Sequence, residues 1–180
     1  MKKRITKLLA VLLIILTLGL ASCDMDRANT YNAWKNGSTD VLPKNHIVEK
    51  TDLGGVLKKM NAQSNESDEI FYVFYGNVHA TGASNAIQVY NEQAVQFQIK
   101  TLYWIDSDMN DKKRTELEDK LGISNADIVP ALYAFKHGAI VFDSSTPYYA
   151  NNSGDYTTIK LAQIAFRQLF DENGEYSYND

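Results

Sequence analysis

The sequence predicts an α/β fold in three layers: a mixed central sheet that ends in a β-hairpin, with helices on both faces. Three observations carry this. Over residues 46–170 the patterns run strand, helix, strand, helix, strand, helix, then hairpin and helix, an order in which βαβ crossovers lay helices over parallel strands. Ile70-Phe71-Tyr72-Val73-Phe74-Tyr75 is an unbroken β-branched and aromatic run, the pattern of a central strand covered on both faces. Residues 131–135 and 139–142 are separated only by Lys136-His137-Gly138; glycine supplies the positive φ of a tight connection, and the hairpin adds antiparallel strands.

The chain opens with Lys2, Lys3, Arg4 and Lys7, an apolar run over 8–20, and then Ala21, Ser22 and Cys23, which is a signal-peptide pattern over residues 1–22. A run of this length falls short of the about 20 residues needed to cross a bilayer as a helix. Leu20-Ala21-Ser22-Cys23 resembles the lipobox of bacterial lipoproteins. The resemblance implies that the Cys23 thiol receives a diacylglyceryl group and that Cys23 becomes the first residue, so that fatty acyl chains, palmitate among them, anchor the protein on the outer face of the cytoplasmic membrane. An ordinary secretory signal is the alternative.

Residues 23–45 are polar, with Asp24, Asp26, Asn29, Asn32, Asn36, Gly37, Ser38 and Asp40, and read as a linker that holds the domain off the membrane. Ile47-Val48 is a short strand. A helix follows over 51–60, with Thr51 as N-cap and Leu53, Val56, Leu57 and Met60 as its apolar face, although Gly54 and Gly55 weaken it. After the central strand, a loop with Gly76, His79, Thr81 and Gly82 enters a helix over 84–97, with Ile87, Tyr90 and Ala94 on one face. Residues 101–105 form a strand, 111–120 a charged helix, then come the hairpin strands and a helix over 157–170, in which Ile159, Ala162, Phe166, Leu169 and Phe170 share a face. The acidic tail, 171–180, is expected to fray.

Composition excludes several function classes. One cysteine among 180 residues allows no intramolecular disulfide, no CxxC dithiol and no multi-thiolate metal site. Without the cationic leader, 14 basic residues face 22 acidic ones, a net of -8. Such a chain is repelled by phosphate backbones, so nucleic acid is not expected as a partner, and its net charge disfavours anionic headgroups for the same reason. No phosphate-binding glycine loop, HExxH or nucleophile elbow is present.

Val73-Phe74-Tyr75-Gly76-Asn77-Val78-His79-Ala80-Thr81-Gly82 resembles the strand and active-site loop of thioredoxins. Leu121-Gly122-Ile123 with Asp127-Ile128-Val129-Pro130 resembles the family's helix exit and cis-proline loop, and Phe135-Lys136-His137-Gly138 its final hairpin. The resemblance covers roughly 46–170 and implies a thioredoxin-like three-layer sandwich. Laid on the motif, the two catalytic cysteines fall near His79 and Gly82. Neither an imidazole nor a glycine can form and resolve a mixed disulfide, so thiol–disulfide exchange is excluded. The family also includes accessory lipoproteins of Gram-positive bacteria, some associated with bacteriocin export.

In thioredoxin-like proteins the backbone before the proline pairs with an extended peptide beside the active-site loop. The resemblance therefore implies a residual peptide groove at His79, Ala80, Thr81, Gly82, Val129 and Pro130, working by β-strand addition, with an unidentified extracytoplasmic protein or peptide as partner. No catalytic residue, metal or cofactor is assigned. An enzyme using His79 with loop carboxylates, and a structural spacer, are the alternatives. Asp106-Ser107-Asp108-Met109-Asn110 has oxygen ligands at alternate positions, but Asp111 and Leu117 stand where a calcium loop needs glycine and glutamate, so the segment reads as a helix cap. Tyr133 reads as core, and Tyr148, Tyr149, Tyr156, Tyr176 and Tyr178 as candidates for an exposed contact surface.

Overall fold

The computed structural model describes residues 26–36, 39–63, 68–171 and 174–176. Residues 1–22, expected to form a leader, Cys23 and Tyr178 lie outside them. No helix among the described residues is long and apolar enough to cross a membrane.

In chain order the elements are α1 (26–33), β1 (Lys35–Asn36), β2 (Thr39–Asp40), β3 (Val48–Thr51), α2 (Leu53–Ala62), β4 (Phe71–Gly76), α3 (Ala83–Gln96), β5 (Leu102–Asp106), α4 (Asp111–Leu121), β6 (Ala131–Lys136), β7 (Ala139–Asp143), α5 (Pro147–Ala150) and α6 (Thr158–Phe166). The main sheet has the order β3-β5-β4-β6-β7. β3, β5 and β4 are parallel, while β6 runs antiparallel to β4 and β7 to β6. The fold is thus α/β with a mixed five-strand sheet, its central strand the aromatic run.

Period-two alternation along β4 divides the core into two layers. Tyr72 and Phe74 face a layer built with Ala86, Ile87, Tyr90 and Ala94 of α3 and Ala162, Ala165 and Phe166 of α6. Val73 and Tyr75 face the other, with Val56 and Met60 of α2 and Leu117 and Leu121 of α4. The apolar face expected for α2 is present, displaced to a helix whose cap is Asp52, not Thr51. Thr51 ends β3, and the Asp52 carboxylate accepts from Gly55 N at 2.8 Å. A Cβ on Gly55 would run into Thr51 Oγ1, which is why a helix-weakening residue stands in this first turn. The hairpin turn is His137-Gly138, with φ of 53 and 73, the primed geometry that a two-residue connection favours.

Residues 26–45 are not a linker. Trp34 is 1% exposed and packs edge-on against Phe74 and Trp104 at centroid distances of 5.8 and 5.1 Å; Leu42 is buried in the same layer. Helix α1 lies against β3 through polar contacts: Thr30 Oγ1 accepts from Lys50 N at 3.1 Å, and Arg27 reaches Glu49 at 3.0 Å. Arg27, Thr30 and Trp34 fall on one face at helical spacing, but only one of the three is apolar, so no hydrophobic period marks the segment. The packed unit therefore includes the chain from residue 26 onward.

The last helix ends at Phe166, not residue 170. Gln168 takes a φ of 60, and Leu169 and Phe170 turn back so that Phe170 bridges Tyr176. Part of the expected tail is therefore folded, with Gly174 close against Val141, Phe142 and Asp143 of β7. Ile159, expected on the buried face, is 49% exposed. The short helix α5 was not expected.

Candidate functional site

The parallel strands β3, β5 and β4 end together, and register decides which loops meet there. Gly76 lies opposite Asp106, and Tyr75 opposite Ala131. The loop after β4, the loop after β5 and the segment entering β6 therefore converge at the carboxyl ends of the strands. α4 leaves this edge over one face and α3 over the other, so the boundary between β5 and β4 is a topological switch point, where open α/β sheets place their crevices.

Asn77 organises this boundary. Its Nδ2 donates to Ser107 Oγ at 2.8 Å, its Oδ1 accepts from His79 N at 2.9 Å, and its carbonyl accepts from Ala80 N at 3.2 Å. Beside it, Gly76 O accepts from Trp104 Nε1 at 2.8 Å and from Ser107 N at 3.2 Å. Sequence reasoning passed over Asn77; an asparagine directly after a strand and two residues before His79 is the signal of an Asx-turn. Gly82 then caps α3 with a φ of 78 and no side-chain cap bond, and a Cβ there would meet nothing within 4 Å. The position at which the thioredoxin resemblance would set a second cysteine is open space.

The other wall is built from the 123–130 loop. Ser124 N donates to Asp143 Oδ2 and Ala126 N to Glu118 Oε1, both at 2.7 Å, and Arg114 pairs with Asp127. Val129 is half-buried against the α2–α4 layer and is joined to Pro130 by a cis peptide bond. Among the described residues its main-chain N–H and C=O have no hydrogen-bond partner. His79, Ala80, Thr81 and Gly82 thus stand at the same sheet end as Val129 and Pro130, on two separately braced loops.

His79 is exposed, and its ring has no hydrogen-bond partner among the described residues. A general base needs a partner that fixes its tautomer and a nucleophile within reach, and neither is paired with it. No group of three or more His, Cys, Asp and Glu side chains that could hold a metal ion occurs among the described residues. In the segment considered as a calcium loop, Asn110 caps α4 by accepting from Lys113 N at 3.0 Å. A cleft of about 470 Å³ opens at the ends of β3 and β5, floored by Leu53, Leu57, Ile105 and Leu117 and rimmed by Lys50, Asp106 and Lys113. It does not include the expected groove residues.

His46, two residues before β3, is 1% exposed. Its Nδ1 accepts from Val48 N at 3.1 Å and its Nε2 meets Arg27 O at 3.1 Å, an arrangement that fits the neutral Nε2–H tautomer. Burial is the main cause of its lowered pKa. Of the tyrosines, Tyr148 is 37% exposed and hydrogen-bonded to Tyr156 through their hydroxyls at 2.8 Å, whereas Tyr149 is buried and its hydroxyl correspondingly harder to ionise.

Comparison with models of protein families finds none that matches this chain, and comparison with curated proteins finds none that matches it either.

Proposed function

We propose that the chain is an extracytoplasmic lipoprotein, anchored through Cys23, whose thioredoxin-like domain binds an extended peptide or protein segment without redox chemistry. The observation that carries the binding half is the free main chain of Val129 beside the Asn77-braced loop. An unpaired main-chain donor and acceptor at the rim of a packed sheet are what an added strand pairs with. The five-strand order with a terminal hairpin is compatible with the sandwich that the resemblance implies, and the absence of thiols after Cys23 removes the competing chemistry. His79 contributes contact area, since nothing is paired with its ring.

An NMR titration of the described domain with a mixture of random ten-residue peptides tests this. Shift changes confined to Val129 and residues 79–82 are expected. Changes centred on the α2–α4 cleft, or none at millimolar peptide, would overturn the strand-addition reading.

A further inference from the structure

Helix α1 runs alongside β3 in the same direction. Arg27, near its start, reaches His46 and Glu49 at the beginning of β3; Thr30, further on, meets Lys50; Trp34 meets Phe74 and Trp104, which share a register row with Lys50. The amino end of α1 is therefore at the amino ends of the parallel strands. Two residues, Asp24 and Met25, separate Cys23 from Asp26, and however arranged the three steps span at most about 11 Å. The groove loops lie at the opposite, carboxyl ends. α3 starts there at Ala83 and its 14 residues return about 21 Å to the amino ends, roughly twice the reach of the tether.

Charge is divided along the same axis. At the amino ends Lys44, Lys100 and Arg167 have no ion pair among the described residues, Lys136 is paired with Asp68 at 2.8 Å and Arg27 with Glu49 at 3.0 Å; Asp26 and Glu69 are further acids there. At the carboxyl ends Asp106 is paired with Lys50 and Asp127 with Arg114, which leaves Asp52 and Asp108 beside Lys113. An anionic surface attracts the first end and repels the second, although the net charge of the whole chain is negative.

We infer that the amino-terminal ends of β3, β4 and β5 lie against an anionic phospholipid surface and that the carboxyl-end groove points away from it, accessible to extracytoplasmic segments. This rests on the lipid-anchor reading of Cys23. The domain is then not a freely swinging body on a linker; α1 fixes its orientation to the membrane.

The full-length protein, lipidated in cells and reconstituted into vesicles of phosphatidylcholine and phosphatidylglycerol, provides the test. Acylation consumes the sole native thiol, so Gln96→Cys and Thr81→Cys, exposed positions flanking opposite ends of α3, each carry one reactive cysteine for a fluorophore. A nitroxide on the lipid headgroup should quench the Gln96→Cys label several-fold more than the Thr81→Cys label. Lys44→Cys, on the loop before His46, repeats the amino-end reading from another element. Equal or reversed quenching on vesicles that float with bound protein overturns the orientation alone. Protein that neither carries fatty acid nor floats with the vesicles overturns the anchor reading, and the orientation with it.

Discussion

Trp34→Ala is the sharpest test of the amino-terminal segment. In a tethering linker, a substitution changes stability by no more than about 0.5 kcal/mol. In this structure Trp34 is fully buried between Phe74 and Trp104, and truncating a buried tryptophan to alanine costs about 3–5 kcal/mol through lost burial and the cavity left behind. One term opposes this. The indole Nε1 is buried with no acceptor among the described residues, and removing an unpartnered donor returns about 1–3 kcal/mol. The expected net loss is about 2 kcal/mol, and at most about 4 kcal/mol. Trp34→Phe keeps most of the ring and sheds the same donor, so it should fall within about 1 kcal/mol of the parent. Guanidinium unfolding followed by far-UV circular dichroism measures both, and in the Trp34 variants Trp104 remains as the only fluorescent tryptophan. A loss below about 0.5 kcal/mol for Trp34→Ala, or equal losses for both variants, would refute the packing.

Four further outcomes follow from the same structure. His46 is held neutral in the folded state with its pKa lowered, chiefly by burial, so the unfolded chain binds its proton first. Stability should therefore be flat above about pH 7 and fall below about pH 6.5 by up to about 1.4 kcal/mol per pH unit; melts from pH 7.5 to 5 should show that His46→Gln loses this component. Gly174→Ala places a Cβ 3.2–3.3 Å from β7 backbone at a φ of 74, so a loss of about 2 kcal/mol is expected, and an unchanged melt would show that the turn is not held on β7. Gly54→Ala meets only Asp52 Oδ1 at 3.4 Å and should gain about 0.5–1 kcal/mol of helix propensity, whereas Gly55→Ala, blocked by Thr51, should gain nothing. Cys23→Ala should abolish incorporation of radiolabelled fatty acid and release the protein from membranes; retention of both would count against the anchor.

The strands and hairpin were legible because their signals are periodic and local. The aromatic run of β4 and the His137-Gly138 turn state their burial and conformation in adjacent residues. Helix ends were less so: Thr51 and Asp52 both suit an N-cap, and only pairing of Thr51 in β3 assigns the cap to Asp52. Helix α1 and the burial of Trp34 were hidden because that segment docks mostly through hydrogen bonds and one ion pair, which leave no hydrophobic period. The resemblance marks both loops of the candidate site but not Asn77, whose role depends on reaching Ser107 in a loop 30 residues away. Ile159 has the spacing of a core residue yet lies half-exposed, since spacing cannot say how wide the covered face of a helix is.

Strand addition requires accessible unpaired main chain, and both edges of the sheet are covered in part. Along β3, Val48 N and Lys50 N are taken by His46 Nδ1 and Thr30 Oγ1, side chains that the docking of α1 brings or fixes there. Along β7, the returning 170–176 segment sets Gly174 against Val141, Phe142 and Asp143 so closely that no side chain fits. Covered edges of this kind protect a sheet from pairing with other chains, and here both chain ends supply the cover. An extended partner would have to displace α1 and its buried Trp34, or the terminal turn, before it could pair at either edge. At Val129 it displaces nothing, because the main chain there is already free and the facing loop is braced by Asn77. Gly174→Ala separates the two routes: loosening the terminal turn should uncover β7 and raise self-association without changing peptide shifts at Val129, whereas a gain in peptide binding would place the pairing site on the β7 edge instead.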